Sequence, residues 1–191
     1  MIQKDDEQKI DWDKLERKNR DIIGWIKISN TNINYPILRD NYNLKYLKCS
    51  FDGKYNKNGS IFTLNSRAFQ DDETIIYGHN NNNGIMFSEL SKFMNEEFLV
   101  QNCNFTIYTR EQDYNATVFS CYSIGENEEQ NNIEHLDFQQ KIEYYKNASK
   151  FVNNIGEIKK IVKLSTCSYL NNHANPTNQR YYIVAKIEKS E

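Results

Sequence analysis

The sequence predicts a mainly β domain, an antiparallel or mixed barrel to which helices are appended. Short apolar or alternating runs typical of strands dominate the chain and are separated by turns. The helical patterns are few and are inserted between strands, whereas a doubly wound sheet would alternate them. Thirteen tyrosines and ten phenylalanines with only two prolines in 191 residues suit a single β-rich domain.

The first half of the chain is predicted to hold one short helix and four strands. Asp11 can cap a helix that ends near Asn19. Residues 39–58 are polar, and we expect irregular structure there with at most a helical turn. The predicted strands are 24–28, 33–38, 60–64 and 74–77.

The second half is predicted to add two helices and four more strands. Apolar residues at helical spacing over 85–93 predict a helix packed on the core. The stretch from Glu126 to Asn132 is predicted to be a polar loop. Asp137 begins a capping-box pattern, and an apolar stripe continues the helix to Asn154. The predicted strands are 104–110, 114–124, 161–167 and 180–187.

Composition argues against several classes of function. A net charge of −2 without a basic run gives no reason to expect a nucleic-acid partner. No apolar run is long enough to span a bilayer, and no signal-peptide pattern occurs. Cys49, Cys103, Cys121 and Cys167 lack metal-ligand spacing, so we expect reduced thiols and no metal or other cofactor.

Two residues at the ends of the last two strands stand out chemically. Cys167 ends one strand and Arg180 begins the next, so a hairpin would bring a thiol and a guanidinium to the same mouth. This pair suits a nucleophile and an anion stabiliser. A buried structural cysteine beside a surface arginine would give the same hairpin pattern.

A histidine at the end of another strand favours the catalytic interpretation. Of the three histidines, only His79 follows an apolar strand. Cysteine-based acyl transfer needs a group that titrates near neutrality to manage protons on the leaving and attacking amines. His79 is the candidate for that task.

These residues, in their local sequences, resemble those of sortases, the cysteine transpeptidases of Gram-positive cell surfaces. The resemblance is carried by YGHNNNNGIMF at 77–87, LSTCSY at 164–169 and the downstream Arg180. NRDIIGWIKI at 19–28, followed by INYPI at 33–37, is similar to the opening of class B sortases. The resemblance covers residues 11–187 and implies a sortase-type barrel of about eight strands. It further implies an N-terminal helix and a long helix between the late strands.

The resemblance implies catalytic roles for three residues. Cys167 would attack the carbonyl of a threonine in a C-terminal sorting signal and form a thioester. Arg180 would stabilise the oxyanion together with a backbone N–H, for which Ser168 is the candidate, and His79 would protonate the departing amine. The 171–178 loop, which carries His173, is longer than the family pattern leads us to expect.

Six further residues are candidates for substrate binding. Ser165 and Thr166 have hydroxyls that can bind a peptide backbone, although ordinary strand-end polar residues would look the same. In class B sortases a helix between these strands walls the substrate groove, which points to Tyr144 and Tyr145. The alternative is a helix that only covers the sheet. Ser168 and Asn80 complete the set.

The family also implies partners and a location. The expected substrate is an NPxTN-like or LPxTG-like sorting peptide, and the expected acceptor is a peptidoglycan cross-bridge amine or, as a second choice, a pilin lysine. We expect a monomer at the extracellular face of the membrane. Residues 1–10 are interpreted as a charged stub beyond a membrane anchor that this chain lacks, and 11–191 as one catalytic domain.

Two other functions are compatible with such a chain. A hydrolytic cysteine peptidase would use a similar nucleophile, but papain-like enzymes place cysteine before histidine and the caspase pattern is missing. A non-catalytic adhesin or pilin-like barrel would not need histidine, cysteine and arginine at three strand ends. Amide formation from a sorting peptide and an amine separates the three functions.

Overall fold

The computed structural model describes residues 9–81, 84–151, 155–168 and 178–190. Its strands close into a barrel with the order β1-β2-β3-β4-β7-β8-β6-β5. Pairing is parallel between β2 and β3 and between β4 and β7, and antiparallel elsewhere. The predicted eight-stranded, mainly β barrel is therefore confirmed. The strands are β1 (Ile22–Lys27), β2 (Asn34–Arg39), β3 (Ile61–Thr63), β4 (Glu73–Tyr77), β5 (Asn104–Tyr108), β6 (Tyr114–Gly125), β7 (Ile161–Cys167) and β8 (Gln179–Lys189).

The helices decorate this barrel. Asp11 caps α1 as predicted, since its carboxylate accepts the N–H of Lys14 at 2.9 Å. Asp137 and Gln140 form the predicted capping box at the start of α4. The helices are α1 (Trp12–Lys18), α2 (Glu96–Asn102), α3 (Glu126–Ile133) and α4 (Phe138–Ala148), with 3₁₀ turns at Lys45–Leu47 and Ser88–Met94.

Alternation along the strands produces two apolar cores. The inner core takes side chains from all eight strands and from the Ser88–Met94 turn. The outer core lies where α3 and α4 pack against β6, β7 and β8. A bulge in β6 between Val118 and Ser120 resets the alternation, so Cys121 faces inward while Tyr122 faces the helices.

Three predicted elements were wrong in type or extent. The stretch predicted as a loop over Glu126–Asn132 is helix α3, whose acidic first turn suits a helix N-terminus. The helix predicted to run from Asp137 to Asn154 ends at Ala148, because the Ser149 hydroxyl bonds to the main chain of β6 in extended conformation; 152–154 lie outside the described residues. The pattern over 85–93 forms a 3₁₀ turn, and α2 follows it unpredicted.

Candidate active site

The hairpin of β7 and β8 places the cysteine opposite the arginine. Cys167 and Arg180 are direct partners in the antiparallel register. Nη1 of Arg180 donates to Sγ of Cys167 over 3.6 Å and to the carbonyl oxygen of Gln179 over 3.1 Å. The thiol therefore lies against a cation that favours its charged form.

Strand β4 brings the histidine to the same level as the cysteine. β4 runs parallel to β7 with Tyr77 beside Ser165, so His79 and Cys167 each lie two residues beyond a paired position. Bonds between the two segments continue past the ladder. Asn80 donates from Nδ2 to the carbonyl oxygen of Cys167 over 2.9 Å. Sequence-distant strand ends thus meet at one edge of the barrel.

Gly78 allows this close approach. Its N–H donates to the Ser165 carbonyl over 3.2 Å, and its own carbonyl accepts the Thr166 hydroxyl over 2.7 Å. A Cβ at position 78 would lie 2.5 Å from Ile61 and 2.7 Å from Phe87. Any larger residue would push the histidine-bearing turn off β7.

The imidazole of His79 is oriented by a main-chain carbonyl. Its Nε2 lies 2.8 Å from the carbonyl oxygen of Leu47, which can only accept, so Nε2 carries a hydrogen in this contact. Nδ1 is then the nitrogen left to exchange a proton. Gly59, at φ +59°, permits the geometry because a Cβ there would lie 2.8 Å from that same oxygen.

Arg180 has a carboxylate partner that the sequence did not suggest. Its Nη2 donates to Oε2 of Glu126, the first residue of α3, over 2.7 Å. The guanidinium therefore bridges a thiol and a carboxylate. Glu126 went unnoticed because it belongs to a polar stretch that was predicted to be a loop.

A cavity of about 310 Å³ lies between α3 and the barrel beside this bridge. Its walls combine aromatic and aliphatic surface with a few polar groups. The lining residues are Ile75, Tyr77, Glu126, Glu129, Gln130, Ile133, Lys163, Ser165 and Tyr182. This mixture suits an extended peptide, which presents both apolar side chains and main-chain polar groups.

Beneath the cavity lies a buried ionic network. Nζ of Lys163, a side chain only 2% exposed, is 3.0 Å from Oε1 of Glu129 and 3.2 Å from the Tyr145 hydroxyl. Glu129 also accepts from the Tyr122 and Tyr144 hydroxyls at 2.6 and 3.0 Å. The network fixes α3 against β7, since every member is hydrogen-bonded.

A second carboxylate, Glu73 of β4, completes the network. It accepts from Lys141 at 2.9 Å and from the Tyr145 hydroxyl at 2.8 Å, and Lys163 is 4.0 Å away. Burial acts to raise the pKa of Glu73, but Lys163 and Lys141 together outweigh it and hold the pKa below its usual value. Burial raises the pKa of Tyr145, with the neighbouring carboxylates adding to the effect.

The predicted substrate-binding residues differ in their access to a peptide. Ser165 lines the cavity, and Thr166 is bound to Gly78. Ser168 is buried, its N–H is donated to Gln179 over 2.8 Å and its hydroxyl pairs with Ser123, so the predicted oxyanion role of that N–H does not fit this arrangement.

The remaining three candidates hold the site together from below or from the side. Asn80 ties β4 to Cys167. Tyr144 is half-buried and bonds to Glu129. Tyr145 is fully buried in the ionic network, which leaves it no surface for a peptide, so its selection was wrong. The wall of the cavity comes from α3, and α4 supports it.

Other chemistry is sparse among the described residues. They include no group of three or more histidine, cysteine or acidic side chains that could hold a metal ion. All four cysteines fall in the described part of the chain and are free thiols. Burial raises the pKa of the Cys121 thiol, so that cysteine is unsuited to nucleophilic work.

Comparison with known proteins decides the family. The model of the sortase domain matches residues 26–188. This chain belongs to the sortase family. Curated relatives are sortase B of Listeria monocytogenes, 34% identical over 80% of this chain, and sortase B of Staphylococcus aureus, 31% identical over 93%.

Solved structures place this sortase in class B. The X-ray structure of Clostridium perfringens sortase B matches with a TM-score of 0.83 and 26% identity, over 93% of this chain and 99% of that one. The Staphylococcus aureus sortase B–substrate complex matches with a TM-score of 0.82 and 28% identity, over 94% and 85%. Sortases of this class are cysteine transpeptidases.

The matched lengths differ between relatives. This sortase spans 65% of the Listeria protein and 75% of the Staphylococcus aureus protein. Among the residues that the structure describes, no helix has the length and apolar character to cross a membrane.

Proposed function

We propose that this sortase is a cysteine transpeptidase that cleaves a sorting signal after threonine and joins the new carboxyl end to an amine. The observation that carries the proposal is the pairing of Cys167 with Arg180 at 3.6 Å, with His79 tied to the same strand end. A thiol, a fixed cation and an oriented imidazole are the groups that thioester chemistry at an amide requires.

The first half-reaction forms the thioester. The thiolate of Cys167 bonds to the threonine carbonyl carbon, and the electron pair of the C=O moves to its oxygen. The guanidinium of Arg180, already against Sγ, lies where that oxyanion develops and stabilises it. Collapse of the intermediate breaks the C–N bond, and His79 gives its Nδ1 proton to the departing amine.

The second half-reaction reverses these roles. An incoming amine attacks the thioester carbon and loses a proton to His79, and the C–S bond breaks to release the thiolate of Cys167. The product is a new amide, and the enzyme returns to its starting protonation. The support of Nε2 by Leu47 lets the imidazole shuttle one proton at Nδ1 without rotating.

The cavity between α3 and the barrel is the proposed seat of the sorting peptide. It adjoins the catalytic bridge through Glu126, and Ser165 offers a hydroxyl from the same face of β7 as Cys167. Tyr77 and Tyr182 supply apolar surface. Tyr144 acts from behind, since its hydroxyl bonds to Glu129 on the cavity wall.

The acceptor and location follow from relatives. Structures of Staphylococcus aureus sortase B with a substrate and with triglycine support a peptide donor and a cross-bridge-like amine for this chain. The Streptococcus pyogenes class B sortase Spy0129, involved in pilus biogenesis, makes a pilin lysine the second choice. We propose that the protein acts as a monomer on NPxTN-like or LPxTG-like signals at the outer face of the membrane.

The test is product analysis with defined peptides. Peptides bearing each motif are incubated with the protein and triglycine, and the threonyl-triglycine amide is measured by mass spectrometry. We expect amide from at least one motif, and none with Cys167→Ala. Cys49→Ala and Cys103→Ala, which alter half-buried thiols elsewhere, should keep the activity. Release of free threonyl acid alone would indicate a hydrolase, and no cleavage of either peptide would contradict the proposal.

A further inference from the structure

We infer that Glu126 is the positioning residue for Arg180: its carboxylate holds the guanidinium in the plane that faces Cys167. The inference rests on the proposed function and extends it to a residue outside the catalytic three. Glu126 touches neither the thiol nor the imidazole in the described contacts. It acts on the reaction through Arg180.

The guanidinium is held at two of its corners. Nη1 carries the contact with Cys167 and also donates to the Gln179 carbonyl, whereas Nη2 donates to Glu126 over 2.7 Å. A single anchor at Nη1 would still allow the planar group to turn about that bond. The second anchor at Nη2 fixes the plane, which is the feature that distinguishes arginine from lysine as an anion partner.

Glu126 is itself rigidly placed with respect to Arg180. Its N–H donates to the carbonyl of Asn178 over 2.8 Å, and the β6–β8 ladder pairs Ile124 with Arg180 immediately before it. One turn along α3, Glu129 is bonded to Lys163 of β7. The carboxylate therefore sits on a helix fastened to both strands of the catalytic hairpin.

Orientation outweighs charge at this position. The side chain of Glu126 is 48% exposed, so solvent screens its field, and its negative charge would in any case oppose the stabilisation of a thiolate or oxyanion. The benefit to catalysis therefore has to come from fixing the guanidinium. A neutral side chain that still offers an oxygen at Oε2 should keep most of that benefit.

The test separates orientation from charge by kinetics. With a sorting peptide and triglycine, Glu126→Ala should lower kcat about tenfold with little change in KM, in line with the loss of one charged hydrogen bond in the transition state. Glu126→Gln, which retains the acceptor oxygen, should restore kcat to within about threefold of wild type. Glu128→Ala, an exposed residue of the same helical turn, is the matched control and should behave as wild type.

A double-mutant cycle shows whether the effect passes through Arg180. In an Arg180→Lys background, Glu126→Ala should cost no further activity, because the fork that it orients is gone. The inference is overturned by an unchanged or increased kcat in Glu126→Ala, by an equal loss in Glu126→Gln, or by an undiminished loss in the Arg180→Lys background. Failure of the proposed function would look different, since wild type itself would then form no amide that depends on Cys167.

Discussion

Replacing Lys163 should destabilise this sortase far more than its position outside the barrel suggests. Its ammonium is the cation closest to Glu129, and the two side chains are 2% and 3% exposed. Lys163→Met keeps the volume and removes the charge. Glu129 would then stay buried with two tyrosine hydroxyls as its remaining partners. Breaking a buried pair in this way costs about 3–5 kcal/mol of unfolding free energy.

The measurement is urea unfolding at neutral pH, followed by circular dichroism. For a chain of this size the loss corresponds to a fall in Tm of roughly 10 °C. Lys159→Met is the matched control: that lysine is exposed and pairs only with exposed Glu157, so its loss should cost less than about 0.5 kcal/mol. Adding Glu129→Gln to Lys163→Met should recover at least half of the loss, because it removes the stranded charge.

Two outcomes would refute this reasoning. One is a cost below about 1 kcal/mol for Lys163→Met, which would mean that the pair is solvated in solution. The other is a double variant that is no more stable than the single one. That result would assign the cost to packing around the Tyr145 and Tyr182 rings, over which the ammonium sits at 4.9 Å from each centroid.

The same variant should change how stability depends on acid. Glu73 has its pKa lowered by folding, so its contribution is present above its ordinary value of 4.5 and is lost as pH falls through the lower folded value. Without Lys163 that depression shrinks. The gap in unfolding free energy between wild type and Lys163→Met should therefore narrow below pH 4.5. A gap that stays constant down to the acid transition would argue against the coupling.

Two further substitutions test the site itself. Arg180→Lys should lower kcat about tenfold to a hundredfold, because it keeps the charge and loses the planar fork, while Tm stays within about 2 °C. Steady-state kinetics beside a melting curve decide this, and a near-wild-type rate would exclude the guanidinium as a transition-state partner. Gly59→Ala should reduce both stability and kcat, since its Cβ would displace the Leu47 carbonyl that orients His79. Gly53→Ala has a similar φ of +81° and open space around it, so it should show only the backbone cost of about 1–2 kcal/mol; equal kcat losses in the two variants would contradict the role of Leu47.

The three catalytic candidates could be predicted because each stands where a strand pattern stops. Cys167 and Arg180 flank one loop, so a hairpin was enough to pair them, and the structure places them in direct register. His79 required more, since nothing local joins it to Cys167. The parallel pairing of β4 with β7 depends on the closure of the whole barrel, and only resemblance to a family supplied it.

The residues that hold those three in place could not be predicted in the same way. Glu126 lies 54 residues from Arg180 in a run of glutamates and asparagines, whose helical fold depends on tertiary contacts of Glu129. Leu47 orients His79 through its carbonyl oxygen, a group that every residue possesses, so side-chain identity gives no signal. Tyr145 was misassigned because a helical stripe does not reveal which aromatic faces a buried carboxylate.

The buried ion pair and the catalytic bridge share one helix. Replacing such a pair by apolar residues of similar volume is often neutral or stabilising, so the Lys163–Glu129 pair is better explained by what it specifies than by its net energy. An apolar interface would let α3 slide or rotate on β7, whereas a charge inside a ring of tyrosine hydroxyls accepts one register. That register sets where Glu126, one turn earlier, presents its carboxylate to Arg180. A slip of one residue would turn Glu126 by about 100° around the helix and take it away from the guanidinium. The polar network outside the barrel thus fixes the geometry of the chemistry at its edge.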